Sequence, residues 1–146
     1  MSPGNLLHEP RLRVGVRPVI FLPDITRQLL AMLNSGSTLE ATYARIIYNL
    51  SQTIGNGRKV DNRFYRTYID VDVDEALRDY GFIHLHFIPK STRDGRLLLL
   101  KQYEDAVVFC KVTGHEIFAP PPGKALQEAL EADIQAALST KTTVSK

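Results

Sequence analysis

Three histidines are the residues whose type and spacing in this chain best suit catalysis. His84 and His86 alternate with apolar residues in segment 82–88, so they share one face of a predicted strand. His115 follows Gly114 at the end of a later predicted strand. An imidazole titrates near neutral pH, so rings that converge on one surface predict proton transfer. The alternative is two histidines on a solvated strand face and a third that caps a turn.

Four cations close to these histidines in the sequence suit phosphate binding, although each alone is typical of a solvated surface. Cleavage of RNA through its 2′-hydroxyl needs one group to take the 2′ proton and another to protonate the leaving 5′ oxygen. Cations must also hold the phosphorane. That route requires no metal. The predicted cations are Lys90, Arg93, Arg96 and Lys111.

The same histidines also permit a metal site. A His-x-His pair on one strand face plus a distant histidine is a three-nitrogen set that catalytic zinc uses. No Cys, Asp or Glu flanks the pair to orient such ligands, and Asp94 is the next acid along the chain. We therefore predict no metal and no cofactor, with a three-histidine hydrolase as the alternative. Cys110 alternates within an apolar strand, which favours packing over nucleophilic chemistry.

Two basic segments, 11–17 and 58–66, lie outside the histidine-rich half. The first holds three arginines and no acid, and the second holds four cations against one acid. Aromatic residues beside the second segment suit stacking on bases, whereas the alternative is a half-buried strand with solvated charges. The residues are Arg11, Arg13 and Arg17 in the first segment, and Arg58, Lys59, Arg63 and Arg66 with Asp61, Phe64, Tyr65 and Tyr68 in the second.

Hydrophobic periodicity predicts the elements that would position these residues. We expect a half-buried strand over 11–17, then an edge, a bulge or a break at Pro18 before a second apolar stretch over 19–22. Two amphipathic helices joined by a short turn and a short helix before Gly81 come next. An antiparallel three-strand meander and a final helix follow. The predicted ranges are 25–33 and 37–54 for the paired helices, 72–80 for the short one, 82–88, 96–103 and 106–113 for the meander, and 124–138 for the last helix.

Composition indicates one ordinary globular domain. The chain has 146 residues, is 44% apolar and 23% charged, and carries a net charge of +2. Its single cysteine excludes an internal disulfide framework and fits a reducing compartment. Neither a secretion signal nor an apolar run of membrane-spanning length is visible, so we expect a cytoplasmic protein with no membrane partner.

Four segments together resemble the C-terminal core of the RelE superfamily of toxins, and the YafQ-like members most. They are Phe82-Ile83-His84-Leu85-His86-Phe87-Ile88-Pro89, Leu97-Leu98-Leu99-Leu100, Val107 to Val112, and Thr113-Gly114-His115-Glu116-Ile117-Phe118. The opening Val19-Ile20-Phe21-Leu22-Pro23 also resembles the family's first strand.

The resemblance implies an α+β fold in which an N-terminal strand and a helical hairpin pack on an antiparallel sheet, with a C-terminal helix. It divides the chain into a flexible arm (1–10), a RelE-like core (11–118) with an insertion near 55–81, a final helix (123–138) and a frayed tail (139–146). It also implies an endoribonuclease that acts on mRNA, free or on the ribosome, and is neutralised by a cognate antitoxin. ParE-like gyrase poisons share this fold without nuclease chemistry, so a protein that only binds a target is a further alternative.

By position, the resemblance makes His115 and His86 the catalytic pair. His84 and Lys111 assist them, and the substrate contacts are Lys90, Arg93, Arg96 and Phe118. Which ring is acid and which is base stays open.

Overall fold

The computed structural model describes residues 4–7, 9, 11–65, 81–88, 95–114 and 123–144, with side chains of the last segment described over 128–139. The predicted short helix at 72–80 lies outside these ranges. The described elements, in chain order, are β1 (Val19–Phe21), α1 (Pro23–Leu33), α2 (Thr38–Gly55), a 3-10 turn (Asn62–Phe64), β2 (Phe82–Leu85), β3 (Leu97–Tyr103), β4 (Ala106–Thr113) and α3 (Gly123–Val144).

The four described strands form one mixed sheet in the order β1-β4-β3-β2. The meander is antiparallel as predicted, and its hairpin turns at Glu104 and Asp105. The predicted N-terminal strand joins this meander as β1 and pairs with β4 in parallel, with Val19 opposite Val107, so the sheet as a whole is mixed. Periodicity reveals that a strand exists, but it does not reveal the partner or the direction of pairing. The class is α+β.

Helices cover both faces of the sheet. The first face, here the hairpin face, packs on α1 and α2. On this face the Phe21 ring of β1 lies 5.8 Å from the Tyr48 ring of α2 and 5.2 Å from the Phe109 ring of β4. On the opposite face, here the α3 face, Lys101 of β3 forms an ion pair with Glu131 of α3. Alternation along each strand therefore decides which helix layer a side chain meets.

The helical hairpin begins and ends as local chemistry requires. Pro23 occupies the first turn of α1, where a missing amide proton costs nothing. Ser37 caps α2, since its hydroxyl accepts a hydrogen bond from the Glu40 amide at 3.2 Å. Beyond α2, Gly57 has a φ of +75°, and a Cβ there would lie 2.9 Å from the Val16 nitrogen. The chain can turn that tightly against its own N-terminal segment because the residue is glycine.

The predicted strand over 11–17 is not formed. Its apolar side chains Val14 and Val16 are 59% and 80% exposed. Instead, the side-chain amide of the fully buried Gln102 makes two hydrogen bonds to this segment. Its nitrogen donates to the Arg11 carbonyl at 2.8 Å, and its oxygen accepts from the Arg13 amide at 3.0 Å. A side chain thus takes the place of a neighbouring strand, which alternation of residue types cannot reveal.

The described part of the segment predicted as an arm, 1–10, hydrogen-bonds to the end of β3. The Leu7 amide donates to the Gln102 carbonyl, and the Glu104 amide donates to the Asn5 carbonyl, each at 3.0 Å. Leu6 forms an isolated bridge with Tyr103. The arm therefore pairs with the end of β3, at Gln102 and Tyr103, which lies beyond the part of β3 that pairs with β2.

The C-terminal helix is longer than predicted. It continues to Val144, so most of the segment predicted as a frayed tail is helical. Leu130, Ile134 and Leu138 are buried at a spacing of four, and they form the apolar stripe that packs α3 on the domain. Within the described residues, no helix combines the length and the apolar character needed to span a membrane.

Candidate active site

The structure brings His84 and His86 into contact on the α3 face. Their ring centroids lie 4.8 Å apart, with the rings nearly perpendicular at 78°. His84 lies on β2, an edge strand of the described sheet, and is half-buried, whereas His86 just beyond the strand is only 6% exposed. The His86 amide donates to the Phe64 carbonyl at 2.7 Å, which fixes the main chain of the pair. The predicted convergence of these two rings is therefore present.

A β-bulge at Cys110 places Lys111 on the same face as the histidines. Leu100 pairs with Phe109 while Leu99 pairs with Lys111, so Cys110 is an extra residue in β4. In an unbroken ladder Lys111 would face the apolar hairpin layer. With the bulge, Lys111 shares the α3 face with Leu99 of the neighbouring β3 and, across β3, with His84 of β2. Bulges beside functional sites often re-aim a side chain in this way.

Lys111 is a suitable cation for this site. It is half-buried, and no hydrogen bond or ion pair to another described residue engages its ammonium. It lies two strands from His84, so their main chains are about 10 Å apart at the usual strand spacing. On the same face, the fully buried Leu99 lies between them.

Arg96 does not join this group. Its guanidinium donates two hydrogen bonds to the Glu40 carboxylate, at 2.9 and 2.6 Å, and lies 5.7 Å from the centre of the Tyr43 ring. Both partners belong to α2, so Arg96 lies on the hairpin face, opposite the histidines. The expectation that Arg96 holds substrate phosphate at this site is wrong, because this arginine ties the start of β3 to α2.

Four of the predicted site residues lie outside the described residues. They are His115, Lys90, Arg93 and Phe118, and their roles stay predictions. His115 directly follows Gly114, which is the last described residue after β4.

A second polar group lies under α3 and was not predicted from the sequence. Lys101 is 2% exposed, pairs with Glu131, and its ammonium lies 5.0 Å from the Phe82 ring centre. Burial raises the pKa of the neighbouring Cys110 thiol far above its ordinary value. Cys110 therefore stays a protonated packing residue, as predicted. The alternation of Lys101 with the apolar residues around it gave no sign that its charge would be buried.

The arginines of segment 11–17 have intramolecular roles. Arg11 donates to the Asn62 side chain at 2.5 Å and lies over the Tyr65 ring, and Arg13 pairs with Glu9. Arg17 is 5% exposed and donates to the Tyr103 carbonyl at 2.9 Å. Burial lowers the pKa of Arg17, and the charge of Arg13 lowers it further. Arg17 therefore anchors the N-terminal segment to β3, Arg11 ties it to the region of the 3-10 turn, and Arg13 forms an exposed ion pair within the segment.

The described part of the chain contains no group of three or more His, Cys, Asp or Glu side chains arranged to hold a metal ion. The predicted three-histidine set includes His115 and is not tested by that finding. Two imidazoles in contact, with a lysine on the same face, can exchange protons with a substrate and stabilise negative charge.

No family model, no curated protein and no solved structure matches this chain. The chemistry of the site is therefore inferred from its own side chains.

Proposed function

We propose that this protein is a toxin-type, metal-independent endoribonuclease that cleaves mRNA. The observation that carries the proposal is the contact between His84 and His86 on the face that the Cys110 bulge also gives to Lys111. Two imidazoles supply a proton acceptor and a proton donor without a metal, and the lysine supplies positive charge for the phosphorane.

The reaction begins when one imidazole takes the proton of a ribose 2′-hydroxyl. The 2′ oxygen attacks the adjacent phosphorus, and the resulting negative charge is stabilised by the Lys111 ammonium. The bond from phosphorus to the 5′ oxygen then breaks, and a protonated imidazole gives that oxygen its proton. The products are a 2′,3′-cyclic phosphate and a 5′-hydroxyl. His115 is proposed as the third ring and shares the acid or base role with the pair.

The resemblance to RelE-superfamily toxins supports the biological setting. The described order of one strand, two helices, three strands and a helix is compatible with that family. In this proposal the cognate partner is an antitoxin, and the substrate is mRNA free or on the ribosome. Fold alone does not decide between cleavage and target binding. The products of RNA cleavage distinguish the two.

The first experiment uses a short RNA and a matched RNA that carries a single 2′-deoxy residue at the cleaved position. We expect the wild-type protein to cut the first RNA in the presence of EDTA and to leave a cyclic phosphate, and we expect the second RNA to resist. Cleavage of both RNAs that stops with a chelator would instead support the three-histidine metal hydrolase.

The second experiment assigns the side chains. His84→Gln, Lys111→Met and His115→Ala should each slow cleavage about 10²–10⁴-fold if they act in proton transfer or charge stabilisation. Arg27→Met is the matched control, because Arg27 is exposed on α1 and pairs with Asp24 on the other side of the molecule from α3. Unchanged cleavage in all three site variants would refute the assignment.

A third measurement separates cleavage from target binding in cells. Induction of the protein alone should arrest growth and deplete intact mRNA. Growth arrest with intact mRNA and damaged or abnormally supercoiled DNA would favour a gyrase-binding toxin instead.

A further inference from the structure

A cavity of about 300 Å³ lies between the second half of α2 and the segment that leads into the 3-10 turn. This volume is at the lower end of the range for small-molecule sites. The cavity belongs to neither the histidine pair nor the group under α3. Its lining residues are Ile46, Asn49, Leu50, Thr53, Lys59, Val60, Asp61, Arg63 and Phe64.

The lining combines an apolar wall with positive charge at its rim. Lys59 is exposed, and no hydrogen bond or ion pair to another described residue engages its ammonium. The Arg63 guanidinium lies 4.9 Å from the centre of the Phe64 ring. The carboxylate of Asp61 accepts a hydrogen bond from the Arg63 amide at 2.9 Å and so is used in capping the turn. A planar ligand with a negatively charged group fits this combination.

The cavity is joined to the histidine pair by a main-chain bond. The carbonyl of Phe64, one of the lining residues, accepts the hydrogen bond from the His86 amide at 2.7 Å. The aromatic neighbour Tyr65 does not line the cavity, and its hydroxyl accepts a hydrogen bond from the Leu12 amide. Phe64 is the aromatic residue of this segment that lines the cavity, which lies on the α2 side of the sheet, and the sheet edge at residue 86 separates it from the histidine rings on the α3 face.

We propose that this cavity binds one nucleotide of a single-stranded RNA that flanks the cleaved bond. The base packs against Phe64 and the apolar wall, and the adjoining phosphate binds Lys59 and Arg63. Stacking of a base on an aromatic ring is tolerant of sequence and is typical of single-strand binding. This inference rests on the proposed ribonuclease function, because that function supplies the RNA chain that runs from the cavity to His86.

The experiment measures binding rather than cleavage. A fluorescent RNA hexamer with 2′-O-methyl residues throughout has no free 2′-hydroxyl and cannot be cut by this route, and its binding is followed by anisotropy at several salt concentrations. Lys59→Ala and Arg63→Ala should each weaken binding and reduce the slope of log K against log salt by about 0.7, the value for one phosphate contact on a single strand. Phe64→Leu should weaken binding about tenfold with the salt slope unchanged.

Arg27→Ala is the matched control, since it removes an exposed cation of α1 that does not line the cavity. Its binding curve and salt slope should equal those of the wild type. Equal losses in Arg27→Ala and the cavity variants would show only general attraction to positive charge and would overturn the proposal. Wild-type binding in all three cavity variants would overturn it as well.

The two proposals fail separately in this design. Cavity variants that lose hexamer binding, in a protein that cuts no RNA, would keep the nucleotide subsite and reject the nuclease. Cleavage of RNA by a protein whose cavity variants bind normally would keep the nuclease and reject the subsite. Titration with adenosine monophosphate, adenosine and inorganic phosphate, followed by NMR shifts of the lining residues, then separates the base and phosphate contributions. Shifts with phosphate alone that match those with adenosine monophosphate would overturn the base-binding part.

Discussion

Glu131→Ala should destabilise the domain far more than an exposed helical glutamate normally would, because it leaves the buried Lys101 without its partner. Lys101 is 2% exposed and its ammonium pairs with the Glu131 carboxylate. Removal of one member of a buried ion pair typically costs about 3–5 kcal/mol. The Glu131 side chain is 33% exposed, so water reaches its end, screens the pair and brings the expected loss to the bottom of that range or below it. We expect a loss of about 2–3 kcal/mol.

Lys101→Met provides the opposite arm of the same experiment. Methionine keeps most of the side-chain volume beside Phe82 and removes the charge, and replacement of a buried charge by an apolar group is often neutral or stabilising. We expect a change within about 1 kcal/mol of the wild type. In the Lys101→Met background, Glu131→Ala should then cost little, so the double-mutant cycle should show a coupling energy of about 2 kcal/mol.

Urea denaturation of the four proteins, followed by circular dichroism, measures these differences. Asp133→Ala is the control, since Asp133 is an exposed acid on the same helix and should change stability by about 0.5 kcal/mol or less. A loss for Glu131→Ala that is as small as the control, or equally large in both backgrounds, would refute the argument that the pair holds α3 on the sheet.

Two further changes test other contacts. The Tyr103 hydroxyl is buried and has no hydrogen-bond partner within the described structure, so Tyr103→Phe should leave the free energy of unfolding at pH 7 unchanged or raise it by up to about 1 kcal/mol. Burial raises the pKa of this hydroxyl, so above about pH 10 the unfolded chain releases a proton that the folded state keeps. This difference lowers the stability of the wild type by up to about 1.4 kcal/mol per pH unit. Tyr103→Phe lacks the hydroxyl, so its stability should not show this part of the decline. Urea titrations at pH 7 and pH 10.5 check both points, and a loss above 1 kcal/mol at pH 7 would contradict them. Glu40→Gln should cost about 1 kcal/mol, because its partly exposed bidentate pair with Arg96 is weakened, without slowing RNA cleavage. A tenfold slower reaction would indicate that the Arg96–Glu40 pair does contribute to the substrate site.

Local patterns in the sequence predict the parts of this fold that depend on near neighbours. The Leu29 and Met32 spacing of α1, the Ser37 cap of α2 and the polar turn at Glu104 all appear where expected. The shared face of His84 and His86 follows from the same kind of reasoning, since two residues of one strand separated by one position must point the same way.

Pairings between distant segments were not predictable in this way. Nothing local to Val19 shows that β1 pairs in parallel with the last strand of the sheet. The alternation of residues 11–17 suits a strand, yet the amide of Gln102, distant in sequence, provides their hydrogen bonds. Arg96 was grouped with the histidines because it is near them in sequence, whereas Glu40 of α2 determines its position.

The bulge at Cys110 links the packing of the domain to its chemistry. Without it, strict alternation would turn Lys111 towards the apolar layer of α1 and α2, where an unpaired ammonium is costly. With it, Cys110 and Lys111 both belong to the α3 face, the thiol buried near Lys101 and the ammonium at the half-buried edge. Val112 returns to the hairpin face opposite Leu98, so the core below keeps its apolar lining. One extra residue thus allows a strand with an otherwise buried apolar pattern to carry a cation on the face that also holds the histidines.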